Sequence, residues 1–176
     1  MTIGVLYDIL YKDIQGTGIN MDKADFMKAA FVQAKKAYKK DETPIGAVIV
    51  KDGKIIARAY NKRETWRDAT AHCEIIAIRK ACKKLKSWRL IDCDLYVTLE
   101  PCPMCAGAIL QSRIRNLYYG ASDPKAGCCG SVVDLLKMDG FNHTVYVERG
   151  IMEEECGRIL TDFFKNLRMR KIGKFK

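Results

Sequence analysis

Four residues carry the chemistry in this sequence: His72 and Glu74, spaced His-x-Glu, and Cys102 and Cys105, within Glu100-Pro101-Cys102-Pro103-Met104-Cys105. Imidazole nitrogen and thiolate sulfur are donors that zinc prefers, and a catalytic zinc site uses three such ligands while keeping one position for water. A Cys-x-x-Cys step at a helix N-terminus brings two thiolates to one ion, and the partial positive charge of the helix end favours their deprotonated form. The chain has two histidines, His72 and His143, and His72 is the candidate third ligand. Zinc brings the deprotonation of water toward neutral pH, and a carboxylate two residues from a ligand is placed to accept and deliver protons. Glu74 is therefore the candidate base, and the set meets the needs of replacing an amine by hydroxide.

Other readings of the same residues stay open at this level. Cys102 and Cys105 could form a redox pair or sit as core thiols, with His72 a hydrogen-bonded histidine at a helix start. A structural zinc would want a fourth ligand; Cys73 is the adjacent suspect, although neighbours on a helix point about 100° apart. A non-catalytic zinc-stabilised RNA-binding module would leave Glu74 without a purpose.

The elements that must position these groups follow from periodicity and turn chemistry. Residues 1–21 contain Gly16-Thr17-Gly18 and no clear period, and read as an N-terminal arm, disordered or loose, ahead of a single domain over 22–176. Phe26, Ala30, Ala34 and Ala37 recur at helical spacing with lysines between them, predicting an amphipathic helix that ends before Pro44. Ile45 to Val50 and Ile55 to Tyr60 are β-rich runs around Asp52-Gly53, a strong hairpin signal. Thr70 is the expected cap of a helix through Ile75, Ile76, Ile78 and Ala81, with His72 and Glu74 in its first turn. Leu95 to Leu99 reads as a buried strand, after which Pro101-Cys102-Pro103 opens a helix through Ala108 and Leu110. A strand at Leu117 to Tyr119, an irregular stretch from Gly120 to Ser131, a short helix from Val132 to Lys137, a strand from Val145 to Glu148 and a closing helix from Glu153 to Arg170 complete the pattern. Strands alternating with helices predict an α/β fold, a three-layer α/β/α sandwich with a mixed central sheet.

Composition narrows the class of protein. At 176 residues with 48% hydrophobic and 30% charged residues, the chain suits a globular domain and needs no bilayer. Its 31 Lys and Arg against 21 Asp and Glu leave a net charge of +10, which favours an anionic partner such as nucleic acid, or else simply makes a soluble basic surface. Eight cysteines without a basic-then-apolar leader point to a reducing, cytoplasmic setting in which clustered thiols bind metal or do chemistry.

The His-x-Glu and Pro-Cys-x-x-Cys pair is the signature of zinc nucleoside and nucleobase deaminases. Beyond it, Asp41-Glu42-Thr43-Pro44-Ile45-Gly46-Ala47-Val48, Trp88-Arg89-Leu90, the run from Leu95 to Ala108 and Asp123-Pro124-Lys125-Ala126-Gly127 resemble the bacterial tRNA-specific adenosine deaminases of the TadA type, over about Met21 to Arg170. The resemblance implies a cytidine deaminase-like fold, a homodimer with one zinc ion per subunit, and a tRNA anticodon loop as partner. The implied reaction is hydrolysis of the wobble adenosine of an arginine tRNA to inosine; a deaminase of a free purine or pyrimidine base or nucleotide is the alternative. Matched by position, His72, Cys102 and Cys105 are metal ligands and Glu74 the proton shuttle. Asn61 matches a base-contacting residue, Glu42, Thr43 and Pro44 the pocket mouth, Asp123 and Lys125 the loop meeting the anticodon backbone, and Phe163 and Phe164, with Arg168 nearby, the helix holding neighbouring nucleotides. Each has a plainer use: Asn61 or Asp123 in a turn, Lys125 as a solvated charge, one of the two phenylalanines in the core. Cys73, matched to the substrate-binding set, stands where alanine is usual in that family, and chemistry survives there if only its backbone N–H is used, toward the base.

Overall fold

The computed structural model describes residues 21–173, so the expectation for the arm before Met21 lies outside the described residues. Helix α1 (Lys23–Tyr38) starts at a capping box in which Asp22 accepts from the Asp25 N–H and Asp25 reciprocates. Strands β1 (Gly46–Lys51) and β2 (Lys54–Tyr60) follow, closed by Asp52 and Gly53 at φ of 49° and 69°. Two left-handed residues in succession are what a two-residue hairpin needs to match strand twist. Next come a one-turn helix α2 (Arg63–Trp66), α3 (Cys73–Leu85), β3 (Cys93–Leu99), α4 (Pro103–Gln111), β4 (Asn116–Ala121), a 3-10 turn (Leu135–Lys137), β5 (Tyr146–Arg149) and α5 (Glu153–Gly173).

The strands form one sheet in the order β2-β1-β3-β4-β5. β1 is antiparallel to both β2 and β3, whereas β3, β4 and β5 run parallel, so the sheet is mixed. Alternation splits the side chains between two cores. Val48, Val50, Tyr96 and Tyr118 face Phe26, Met27 and Ala30 of α1 and Cys156 of α5. Ala47, Ile49, Leu95, Val97, Leu117 and Tyr119 face Ile76 and Ala77 of α3 and Ile109 of α4. Helices cover both faces, and the expected α/β/α sandwich of cytidine deaminase type is the observed fold.

Several local expectations need correction. Thr70 does not cap α3: its N–H and hydroxyl both donate to Asp68 Oδ1 at 2.7 Å, and His72 takes the cap position. The stretch expected to be irregular from Gly120 begins two residues later, because β4 runs through Ala121. Gly120 can remain in the strand because it has no side chain where α5 presses Cys156 against it. The helix expected from Val132 shrinks to the 3-10 turn, with Val132 and Val133 exposed. The helix α2 had no periodic signal, being a single turn held from outside.

Gly46 sets how closely α1 approaches the sheet. A Cβ there would overlap the Ala30 carbonyl oxygen and the Ala34 nitrogen, both backbone atoms that cannot swing aside. Gly46→Ala should therefore destabilise the protein by about 2–3 kcal/mol, the usual cost of overpacking. Urea unfolding measures this, and an unchanged midpoint would show that α1 slides outward freely.

Candidate active site and metal centre

Two helix N-termini meet at the edge of the sheet where β3 and β4 end. His72 caps α3 with extended backbone, its carbonyl accepting the Ile76 N–H at 3.0 Å. Cys102 caps α4 in the same way, accepting the Ala106 N–H at 2.9 Å, with Pro103 in the first turn, where a missing N–H costs nothing. Neither side chain caps its own helix, so both stay available to point elsewhere.

His72 Nδ1 lies 3.7 Å from Cys102 Sγ and 3.6 Å from Cys105 Sγ, and the three donor atoms lie within 4.8 Å of one another. Tetrahedral zinc with ordinary Zn–N and Zn–S bonds separates nitrogen from sulfur by about 3.6 Å, so the spacing fits. The electrostatics agree. The hydrogen bond from Cys105, together with His72, pulls the Cys102 thiol down to about 4 against its burial. The same bond to Cys102, burial and the neighbouring Glu74 push Cys105 upward. Two sulfurs competing for one proton is the arrangement that a divalent cation relieves. The His/Cys cluster is thus capable of coordinating a metal ion, with Cys105 fully buried beneath it and His72 and Cys102 facing a cavity of about 790 Å³.

Glu74 lines the same cavity and is 4% exposed. Burial raises its pKa, opposed by the Cys73 thiol, which donates to Glu74 Oε2 at 3.1 Å, and by the adjacent His72. Cys73 itself is fully buried; its thiol turns to Glu74 rather than to the cavity, and it is not in the His/Cys cluster. Its backbone N–H donates to Asn61 Oδ1 at 2.8 Å. That bond orients the buried Asn61, which lines the cavity with its amide NH2 still to be used.

The other expected site residues divide. Thr43, Asp123, Lys125, Phe164 and Arg168 line the cavity. Glu42 does not: it is buried, and its carboxylate accepts the Glu64 N–H at 3.1 Å and the Thr65 N–H at 2.6 Å, holding the start of α2. Pro44 is buried outside the lining, while its neighbour Ile45 contributes to it. Phe163 is buried edge-on against Tyr38. Asp123 Oδ1 accepts the Lys125 and Ala126 N–H groups at 2.9 and 3.2 Å, so it shapes its own turn as well as facing the cavity.

A family model of the MafB19-like deaminases matches residues 21–168. The tRNA-specific adenosine deaminase of Bacillus subtilis (strain 168) is 53% identical over 146 residues, covering 83% of this chain and 91% of the relative. That of Agrobacterium fabrum is 48% identical over 148 residues, covering 84% and 97%. The chain belongs to this deaminase family. A structure solved in work on A-to-I editing by tRNA:A34 deaminases at the wobble position shares 49% identity, covers 78% of this chain and all of its own, and superposes with a TM-score of 0.76. A guanine deaminase from Nitrosomonas europaea, at 22% identity and a TM-score of 0.69 over 85% of this chain and 90% of its own, shares the fold.

The deaminase site also contains residues to which sequence reasoning assigned no role. Arg63 reaches the cavity from α2, Leu160 and Thr161 from α5, and Leu99 and Ser122 from the ends of β3 and β4. Arg63 follows directly on Asn61-Lys62, yet no pattern marks a single turn; Thr161 stands two residues before Phe163, and only the docking of α5 shows which of its faces meets the site. Among the described residues, no helix is long and apolar enough to cross a membrane.

Proposed function

We propose that the protein hydrolyses the wobble adenosine of a tRNA anticodon to inosine, with arginine tRNA as substrate, acting as a homodimer with one zinc ion per subunit. The observation that carries this reading is the buried Glu74 carboxylate sharing a cavity with His72 and Cys102, under a rim bearing Arg63, Lys125, Arg168 and Phe164. His72, Cys102 and Cys105 would hold the metal, and three protein ligands is the number of a catalytic zinc. When bound, zinc supplies Lewis acidity that brings the deprotonation of water toward neutral pH.

The chain's own residues do the rest. Glu74 accepts a proton from the attacking water and delivers it to ring N1, then carries the second proton to the departing amine, so adenosine and water become inosine and ammonia. A carboxylate whose burial raises its proton affinity suits both halves of that traffic. The Asn61 amide, fixed by the Cys73 N–H, donates to an acceptor on the base. An anticodon loop already splays its bases, so extrusion into the cavity costs little. Arg63, Lys125 and Arg168 answer the phosphates, and Phe164 offers a stacking face. The setting proposed is reducing and cytoplasmic, where eight cysteines stay available as thiols.

The direct test is to treat tRNA transcripts and anticodon stem-loops with purified protein and sequence position 34, where inosine reads as guanosine. Free bases and nucleosides form parallel arms. A Bacillus subtilis guanine deaminase structure, 48% identical with a TM-score of 0.56 over 58% of this chain and 66% of its own, favours guanine as the second substrate to try. Ammonia from free guanine and none from RNA would overturn the proposal.

The paired phenylalanines give a second test. Phe163→Ala should destabilise the fold by about 3 kcal/mol, as for a buried aromatic ring. Phe164→Ala should change stability by less than about 0.5 kcal/mol and weaken RNA binding by about 5- to 100-fold, the worth of one stacked base. Urea unfolding and a stem-loop titration separate the two effects, and equal losses of stability would refute the division.

A further inference from the structure

Glu100 lies two residues before Cys102 and is 2% exposed. Glu100 lines the same cavity but is not a member of the His/Cys cluster, and its carboxylate is engaged by the segment after β4. One oxygen accepts the Cys129 N–H at 2.9 Å and the Ser131 N–H at 3.0 Å; the other accepts the Asp123 N–H at 3.0 Å and a short hydrogen bond from the Ser131 hydroxyl. Charge-assisted hydrogen bonds of this kind are the strong ones, and without the carboxylate the buried Cys129 N–H and the part-buried Asp123 and Ser131 N–H groups lose their acceptor. Gly127 supplies an independent sign of the same fit. A Cβ there would overlap the Glu100 carboxylate, so the segment can wrap around it only with glycine at that place. The wrapped segment carries Ser122, Asp123 and Lys125 onto the cavity wall.

We propose that Glu100 is a positioning residue for the substrate: it holds residues 122–131 in the shape that presents Asp123 and Lys125 to RNA, and so governs substrate binding rather than metal binding. This rests on the RNA-deaminase reading above. The metal-bearing helix start keeps its own anchor, the Ala106 N–H donating to the Cys102 carbonyl at 2.9 Å, and meets the segment through the Cys128 N–H, which donates to the Pro101 carbonyl at 2.9 Å.

The zinc-loaded protein and its Glu100→Gln and Gly127→Ala variants provide the test. Glutamine keeps one acceptor oxygen but turns an NH2 toward the donors, whereas Gly127→Ala leaves Glu100 intact and displaces the segment from the other side. Both should raise KM for an anticodon stem-loop by about tenfold or more while kcat stays within about threefold, the pattern of lost uniform binding. Metal content should stay native, and amide hydrogen exchange at residues 123, 129 and 131 should accelerate in Glu100→Gln. Native KM with native exchange overturns the proposal, as does loss of metal or a fall in kcat alone. Should Glu100→Gln not accumulate as folded protein, Gly127→Ala decides by the same kinetic criterion. If the unmodified protein forms no inosine, the substrate reading fails, while exchange in Glu100→Gln still tests the positioning role: amides that stay slow reject it.

Discussion

Glu74→Gln protein should retain its full metal content and form inosine at least about a hundredfold more slowly, within the range that general acid–base catalysis contributes. The carboxylates lining the cavity are Glu74, Glu100 and Asp123. Glu100 spends its oxygens on Asp123, Cys129 and Ser131, and Asp123 Oδ1 is engaged by the Lys125 and Ala126 N–H groups. Glu74 Oε2 accepts from the weakly donating Cys73 thiol, and so the carboxylate retains capacity to take up and release a proton. Glutamine keeps the size of the side chain and removes that capacity. Single-turnover assays on stem-loop RNA, with metal measured on the same sample, give the comparison. Substantial turnover by a metal-loaded variant would remove Glu74 from the reaction.

Stripping the metal with a chelator should abolish inosine formation, and zinc added back should restore it. The Cys105→Ala variant should neither hold the ion nor be rescued. Loss of a ligand that binds only the folded state also lowers stability, by about 2.7 kcal/mol if the ion was present at a hundredfold its dissociation constant, so the thermal midpoint should fall together with activity. The placement of the donors makes this effect large: removing the ion leaves the fully buried Cys105 and the half-buried Cys102 and His72 with only one another as partners at 3.6–3.7 Å. Metal analysis, activity and thermal unfolding on one preparation test it together. Activity that survives complete metal removal would end the metal-centred account.

What lay open in the sequence was whatever depends on short spacing. The Asp52-Gly53 hairpin, the helix starts at His72 and Cys102 and the alternation of buried residues along β1 and β3 each follow from a few adjacent positions. The same holds for Glu74, two residues from His72 on one helix start. The failures were also local in origin. Thr70 is a good cap by type but prefers Asp68 two residues back. Gly120 reads as a breaker yet lies in a strand, because Cys156, far along the chain, occupies the space a side chain would need.

The sequence by itself determined the His/Cys donor cluster, the placing of Glu74 beside it and the order of the five strands and the four longer helices, because those are written in residue type and in separations of a few positions. Tertiary structure alone decided that Glu42 would hold α2 instead of facing the cavity, that Glu100 would gather the segment from Asp123 to Ser131, and that Phe164 and Arg63 would reach the cavity while Phe163 would not. The reason is that a buried carboxylate pairs with whatever backbone N–H groups the fold leaves unsatisfied nearby. Those groups belong to segments distant in the chain, which composition and periodicity do not encode.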